Sequence, residues 1–216
     1  MLRSEAIAII KRGLGFRQTQ DAAIIAALQA AQRILETGRT LPTWLLVTGG
    51  AITVTPGIPD IVLPTGLLRL HDDHDMYYVN SSGGLTTLPR KNYGEAVEAY
   101  PVTSSPPSGQ YPKVFVQITK SAGLLLPTPT VTTLTQVFLT YYKGAVKLDA
   151  EVENAWLLNA PEYLNGLAGL QVAGDLRDKD ALAKFTTMYK AGLGSFLGDV
   201  VEDELAGRAL VMGRDN

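Results

Sequence analysis

The side chains best suited to chemistry in this 216-residue chain crowd into one pentapeptide, "HDDHD", where His71 and His74, its only histidines, stand with Asp72, Asp73 and Asp75. Imidazole and carboxylate are ordinary ligands for zinc and calcium. The spacing argues against a metal centre. In an extended segment His71 and His74 point to opposite faces, because their separation is odd, and the chain has no cysteine to add a ligand. Calcium bound by the three aspartates would lack the twelve-residue loop with its fixed glycine and closing glutamate. Asp is also a favoured turn residue, and strand-like runs flank the pentapeptide. The sequence therefore predicts an acidic hairpin tip at residues 71–75, whose histidines could tune a contact with pH.

Other candidates carry less. A nucleophilic serine needs a base beside it, and Ser81 and Ser82 stand in the turn-forming "NSSGG" with both histidines elsewhere. "GDVVEDEL" offers Asp199, Glu202, Asp203 and Glu204, the residue type a glycosidase pairs across a cleft, but such a run on a helix reads as a solvated face. "GLGSFLG" and "VTGGAIT" are glycine-rich without the lysine or the strand-to-helix spacing of a phosphate cradle. No catalytic, cofactor or metal residues are predicted.

The elements that would position any site fall into three blocks. With 46% hydrophobic and 19% charged residues the composition is that of a compact globular protein, able to bury about 70% of its unfolded surface. The net charge of −2 and the absence of a basic run exclude nucleic-acid binding as the main task. The start, "MLRSEAIAIIKRGLGF", reads as a helix rather than a signal peptide. No apolar stretch approaches the roughly 18 residues of a membrane span.

Residues 1–40 predict two helices. Ser4 is a candidate cap for the first, which "GLG" at 13–15 ends. The second starts near Thr19 to Asp21 and runs to Gly38, with Ile24, Leu28, Ala31 and Leu35 on one face. Residues 41–143 hold eleven of the twelve prolines and predict a β-rich insertion, with strands at 51–55, 67–70, 76–80, 85–88, 111–119, 123–126 and 131–142 and a short helix in "RKNYGEAVEAYP" that stops before Pro101. "TSSPPSGQ" reads as a loop. Residues 144–205 predict helices again: one in "LDAEVENAWLLN", one led by Pro161, and a long one on which Leu182, Phe185, Tyr189, Gly192 and Phe196 share a face. Residues 206–216 form a tail whose Leu210, Val211 and Met212 have little to bury them locally and are the candidate partner-binding residues. The fold class is α+β: a helical bundle of the N- and C-terminal helices with a β-rich insertion between them.

This order of pieces resembles the head-to-tail adaptor, or tail-accessory, proteins of short-tailed bacteriophages. The matching pieces are the helices leading to "LPTWL", the insert with "RKNYGEAVEAYP", the strand pair "YPKVFVQITKSAGLLLPTPT", "LTQVFLTYYKGAVKL", and the helical "NAWLLNAPEYLNGLAGLQVAGDLRD" and "KFTTMYKAGLGSF". The family's strand ending in Tyr-Tyr, its Leu-Leu helix, its proline-started helix closing at an Asp and its mid-helix aromatic fall here on Tyr141 and Tyr142, Leu157 and Leu158, Pro161, Asp175 or Asp178, and Tyr189. The resemblance implies a non-enzymatic virion protein of the head-tail junction, assembled in the host cytoplasm. It implies a ring of typically twelve copies below the portal protein, through which genomic DNA passes without sequence-specific binding, and a platform for the tail proteins. It implies no cofactor. Some adaptors of this type are thought to cleave peptidoglycan; in that alternative the carboxylates at 199–204 or 72–75 are the first candidates, with Glu202 and Asp73 the ones to replace.

Overall fold

The computed structural model describes residues 1–16, 21–71, 76–103, 105–149 and 151–212, with 203–212 as backbone alone. The chain forms two compact units, one of Met1–Leu45 together with the chain from Ala145 onward, the other of Leu46–Gly144. The architecture is α+β, with N- and C-terminal helices on either side of a β-rich middle.

In the helical unit, α1 (Arg3–Gly13) and α2 (Asp21–Thr37) precede α4 (Ala155–Asn159), α5 (Pro161–Asp175) and α6 (Lys179–Met212). The stripe Ile24, Leu28, Ala31 and Leu35 is buried as the periodicity requires, and α2 packs on α5. Burying each large aliphatic side chain contributes about 1.5–3 kcal/mol, so this stripe, more than helix propensity, holds α2 in place. Helix α1 begins one residue before Ser4, with Leu2 at its N-cap. Ser4 is thus an interior residue, and the work expected of it is done by carboxylates: Glu5 accepts the Leu2 backbone N–H at 2.7 Å, and Glu151 accepts from the Ser4 N–H and the Arg3 guanidinium. Pro161 starts α5, its fixed φ suiting the first helical turn.

The long helix α6 runs antiparallel to α5 at unusually close range, and glycines set the distance. A Cβ on Gly166 would sit 2.6 Å from the Tyr189 amide nitrogen, and one on Gly192 would strike the backbone of Tyr163 and Glu162. Gly169 of α5 and Gly13 of α1 both lie against the ring of Phe185, which is 1% exposed and so joins three helices. Trp156, fully buried, packs edge-on to Trp44 at 4.8 Å and against Phe196 at 5.9 Å.

A buried polar cluster joins the N- and C-terminal parts of this unit. Asn154 caps α4 by accepting the backbone N–H groups of Trp156 and Leu157, while its amide donates to Gln32 Oε1 and to the carbonyl of Val146. Gln32 donates in turn to Glu36 and the Ala145 carbonyl, and Glu36 accepts the Ala145 N–H at 2.8 Å. The Asn154 cap explains why α4 spans five residues: the preceding "LDAEVE" lies outside the helix that the sequence suggested for all of "LDAEVENAWLLN".

The second unit holds β1 (Leu46–Thr53), β2 (Asp60–Val62), β3 (Leu67–Leu70), β4 (Met76–Val79), β5 (Leu85–Leu88), α3 (Tyr93–Ala99), β6 (Val114–Gln117), β7 (Ala122–Leu126) and β8 (Gln136–Lys143). One sheet has the order β1-β8-β4-β5, with β3 also on β8; a smaller sheet has the order β2-β7-β6. Val137, Leu139 and Tyr141 on one face of β8 share a buried core with Met76, Tyr78 and Leu88 and with Ile61, Phe115 and Leu125 of the smaller sheet. Val114, Val116 and Leu126 point the other way and are covered by Ala96 of α3. Buried on both faces, β6 is the middle layer of this unit.

Candidate functional site

The strands that flank the acidic pentapeptide are paired differently from the prediction. Strands β3 and β4, which flank it, are not partners in a hairpin: Leu70 pairs with Tyr141 and Met76 with Leu139, both antiparallel to β8. Because β1 pairs with the same β8 residues, β3 and β4 must follow one another along the opposite edge. The run from Leu67 to Val79 therefore supplies two separate strands laid against β8, not the two arms of one hairpin. His71 is exposed, its ring 5.8 Å from that of Tyr142; Asp72, Asp73, His74 and Asp75 lie outside the described residues. Among the described residues no three His, Asp or Glu side chains gather in a way that would hold a metal ion.

The true hairpin is the one between β4 and β5. There Asn80 Oδ1 accepts the N–H groups of Ser82 and Gly84 at 3.0 and 2.9 Å, and Gly83 takes a positive φ, so Ser81 and Ser82 belong to a turn, as expected. Packing accounts for one glycine in each of the two glycine-rich stretches. Gly50 lies against the Tyr141 ring at a register shift in β1, and Gly192 admits the α5 backbone. Asp199 and Glu202 are exposed on α6, and Asp203 and Glu204 continue along the same helix. Leu210, Val211 and Met212 fall on its last described turn, since α6 continues unbroken to Met212 past the expected boundary at 206; their side chains lie outside the described residues.

The structure assembles two surface features that the sequence reading passed over. On the outer face of the larger sheet, Tyr77 stacks on Phe138 at 5.4 Å and the Arg69 guanidinium lies over the Tyr142 ring at 5.2 Å. On the β-rich unit, a cavity of about 430 Å³ is lined by Arg90, Lys91, Asn92, Tyr93, Glu95 and Gln117. Its signal in the sequence is the adjacent pair Arg90-Lys91 leading into α3. Its walls are polar and charged, whereas small-molecule sites are mostly apolar.

A groove of about 330 Å³ on the helical unit runs between α1 and α2, floored by Ile7, Ala8 and Ile25 and walled by the ion pairs Arg3–Glu151 and Lys11–Asp21. Burial pushes the Glu151 carboxyl up, but the Ser4 backbone N–H and the Arg3 guanidinium outweigh it and hold its pKa below the usual carboxylate value. Within each unit the distinctive features are close helix packing and layered sheets, which together define an α+β fold.

The chain matches the family model described as the SU10 adaptor protein over residues 2–212, and it belongs to that family. Membership implies a bacteriophage adaptor, a structural component of the virion associated with portal and tail. No curated protein matches the chain.

Proposed function

We propose that this chain is the head-to-tail adaptor of a short-tailed phage: copies of it, twelve in number, ring the lower end of the portal after packaging, extend the DNA channel and form the platform on which the tail assembles. The observation that carries this reading is the family match across residues 2–212, which takes in both units. The charge supports it. A channel lining that must let DNA slide gains nothing from strong phosphate binding, since each neutralised phosphate adds salt-dependent retention, and the chain carries a net charge of only −2. In this reading Leu210, Val211 and Met212, at the end of α6, contact the portal, and the contact offsets the cost of ordering the tail by burying apolar surface. A permanent contact of this kind buries roughly 2,000 Å² or more.

The test is a phage in which the gene carries an early stop codon. Heads that package DNA, leak it and never acquire tails are the expected product; tailed, infectious particles would overturn the proposal.

A further inference from the structure

The cavity beside α3 brings two cations, Arg90 and Lys91, to the rim of the smaller sheet, with the amides of Asn92 and Gln117 beside them and one carboxylate, Glu95, among them. Lys91 makes no ion pair among the described residues. The rim is also apolar in part: Tyr93 is 57% exposed and Ile118, next to Gln117, is 47% exposed. A surface with a net positive charge and exposed aromatic and aliphatic groups suits a segment that is both acidic and amphipathic.

This chain contains such a segment in the far half of α6. Leu197 and Val201 are four residues apart, so they share a face, and they are 46% and 53% exposed although they belong to a helix otherwise packed through Phe185, Phe196 and Val200. Beside them Asp199 and Glu202 are exposed and form no ion pair among the described residues, and the sequence continues with Asp203 and Glu204. Two exposed acids therefore stand next to an uncovered apolar pair, and two more follow in the sequence. The two surfaces complement each other in sign and in apolar character.

We infer that the Arg90–Lys91 cavity receives the Asp199–Glu204 stretch of α6 from a second copy of this chain. The two patches are different surfaces, so the contact is heterologous, the kind that builds a ring when its rotation closes and a filament when it does not. The inference rests on the adaptor reading and names the contact between neighbours in its ring: Glu202 opposite Lys91, and Leu197 and Val201 against Tyr93. Opposed charges at such a rim fix register and disfavour wrong partners more than they add affinity.

The experiment uses the full-length protein assembled on its portal. A zero-length carbodiimide couples a lysine amine to a carboxylate in contact with it, with loss of water and no spacer. Applied to rings grown from equal parts of light and ¹⁵N-labelled protein, it should give Lys91 joined to Asp199–Glu204 peptides of mixed isotope, the mark of two copies. In parallel, Lys91→Glu and Glu202→Lys should each raise the concentration needed for assembly about tenfold or more, the equivalent of about 1.4 kcal/mol, and the double variant should recover most of the loss. Both substitutions are at exposed positions, and an unchanged melting temperature confirms intact folding.

Single variants that assemble like the wild type overturn the inference. So does a Lys91→Glu defect that Glu202→Lys does not relieve, with Lys91 coupled to a portal or tail peptide, which would assign the cavity to another protein. If the wild type gathers on the portal but these results fail, only this contact is refuted. If the wild type never gathers there, the adaptor reading falls and the inference falls with it.

Discussion

Gly166 of α5 and Tyr189 of α6 approach so closely that a Cβ on the glycine would lie 2.6 Å from the Tyr189 backbone nitrogen and 2.7 Å from its Cα. The obstacle is main chain, which cannot rotate away as a side-chain tip can. Gly192, against the Tyr163 backbone, repeats the relationship one helical turn along α6. Two helices thus rest on one another through paired glycine and tyrosine positions, and the register of α5 on α6 is set there.

Gly166→Ala should therefore force the helices apart. Overpacking costs about 1–3 kcal/mol, against a gain of about 1 kcal/mol in helix propensity. Thermal melting should show a net loss of several degrees, at about 2–4 °C per kcal/mol for a chain of this size, and Gly192→Ala should behave alike. A raised melting temperature for both, with the helix-propensity gain unopposed, would mean the helices do not touch at these positions.

Gly194 makes the contrasting case. It lies inside α6 with nothing within 4 Å of where a Cβ would be, so Gly194→Ala should gain about 0.5–1 kcal/mol from reduced backbone entropy alone. Calorimetry should register a rise of about 2 °C. A fall would indicate a neighbour packed on that face.

Asn154 should be among the costliest polar positions to alter. It is 1% exposed, caps α4 and binds the Val146 carbonyl. Asn154→Ala removes a cap, worth about 1 kcal/mol, and leaves buried groups unpaired at about 1–3 kcal/mol more. Urea denaturation should give a combined loss of about 2–4 kcal/mol with an unchanged dependence on denaturant. A loss below about 1 kcal/mol would show that water replaces the amide.

Tyr163, its ring 5.3 Å from that of Tyr189, sets an alkaline limit. Burial, the charge Tyr189 would carry and the hydrogen bond between them push its phenol up to about 12, whereas in the unfolded chain a phenol titrates near about 10. With the folded value raised, this stabilising contribution is complete below pH 10 and is lost as pH climbs from about 10 through about 12. Melting temperatures measured from pH 8 to 12 should decline above pH 10, and less steeply for Tyr163→Phe. The slope should persist in part, because burial also raises Tyr141. Identical slopes in the two proteins would place the alkaline sensitivity elsewhere.

How much of this was legible in the sequence depended on whether a pattern was periodic and local. The α2 stripe, the short α3, the Pro161 start and the Asn80–Gly84 turn all announce themselves within a few residues, and they appear where the sequence put them. Strand β1 begins at Leu46, well before the expected 51, because Gly49 and Gly50 sit at a register shift that breaks the apolar alternation. Strand β2 is three residues long and follows Pro59 closely, too short for any period to show. The pairing of the strands that flank 71–75 was misread for a deeper reason. Two strand-like runs joined by turn residues look like a hairpin, and only long-range pairing with β8 reveals that β3 and β4 lie end to end. The cavity at Arg90 and Lys91 was missed because Gln117, its far wall, is distant in sequence.

The account's central claim is that this family member gathers on the portal as a ring. It is tested most directly by analytical ultracentrifugation of the purified protein alone, mixed with the portal ring, and mixed again after deletion of Gly207–Asn216. The account predicts a small free species that moves onto the portal in about as many copies as the portal has subunits, and a truncated protein that binds at least about tenfold more weakly, since it lacks Leu210, Val211 and Met212. A full-length chain that stays free beside the portal at high concentration would contradict it.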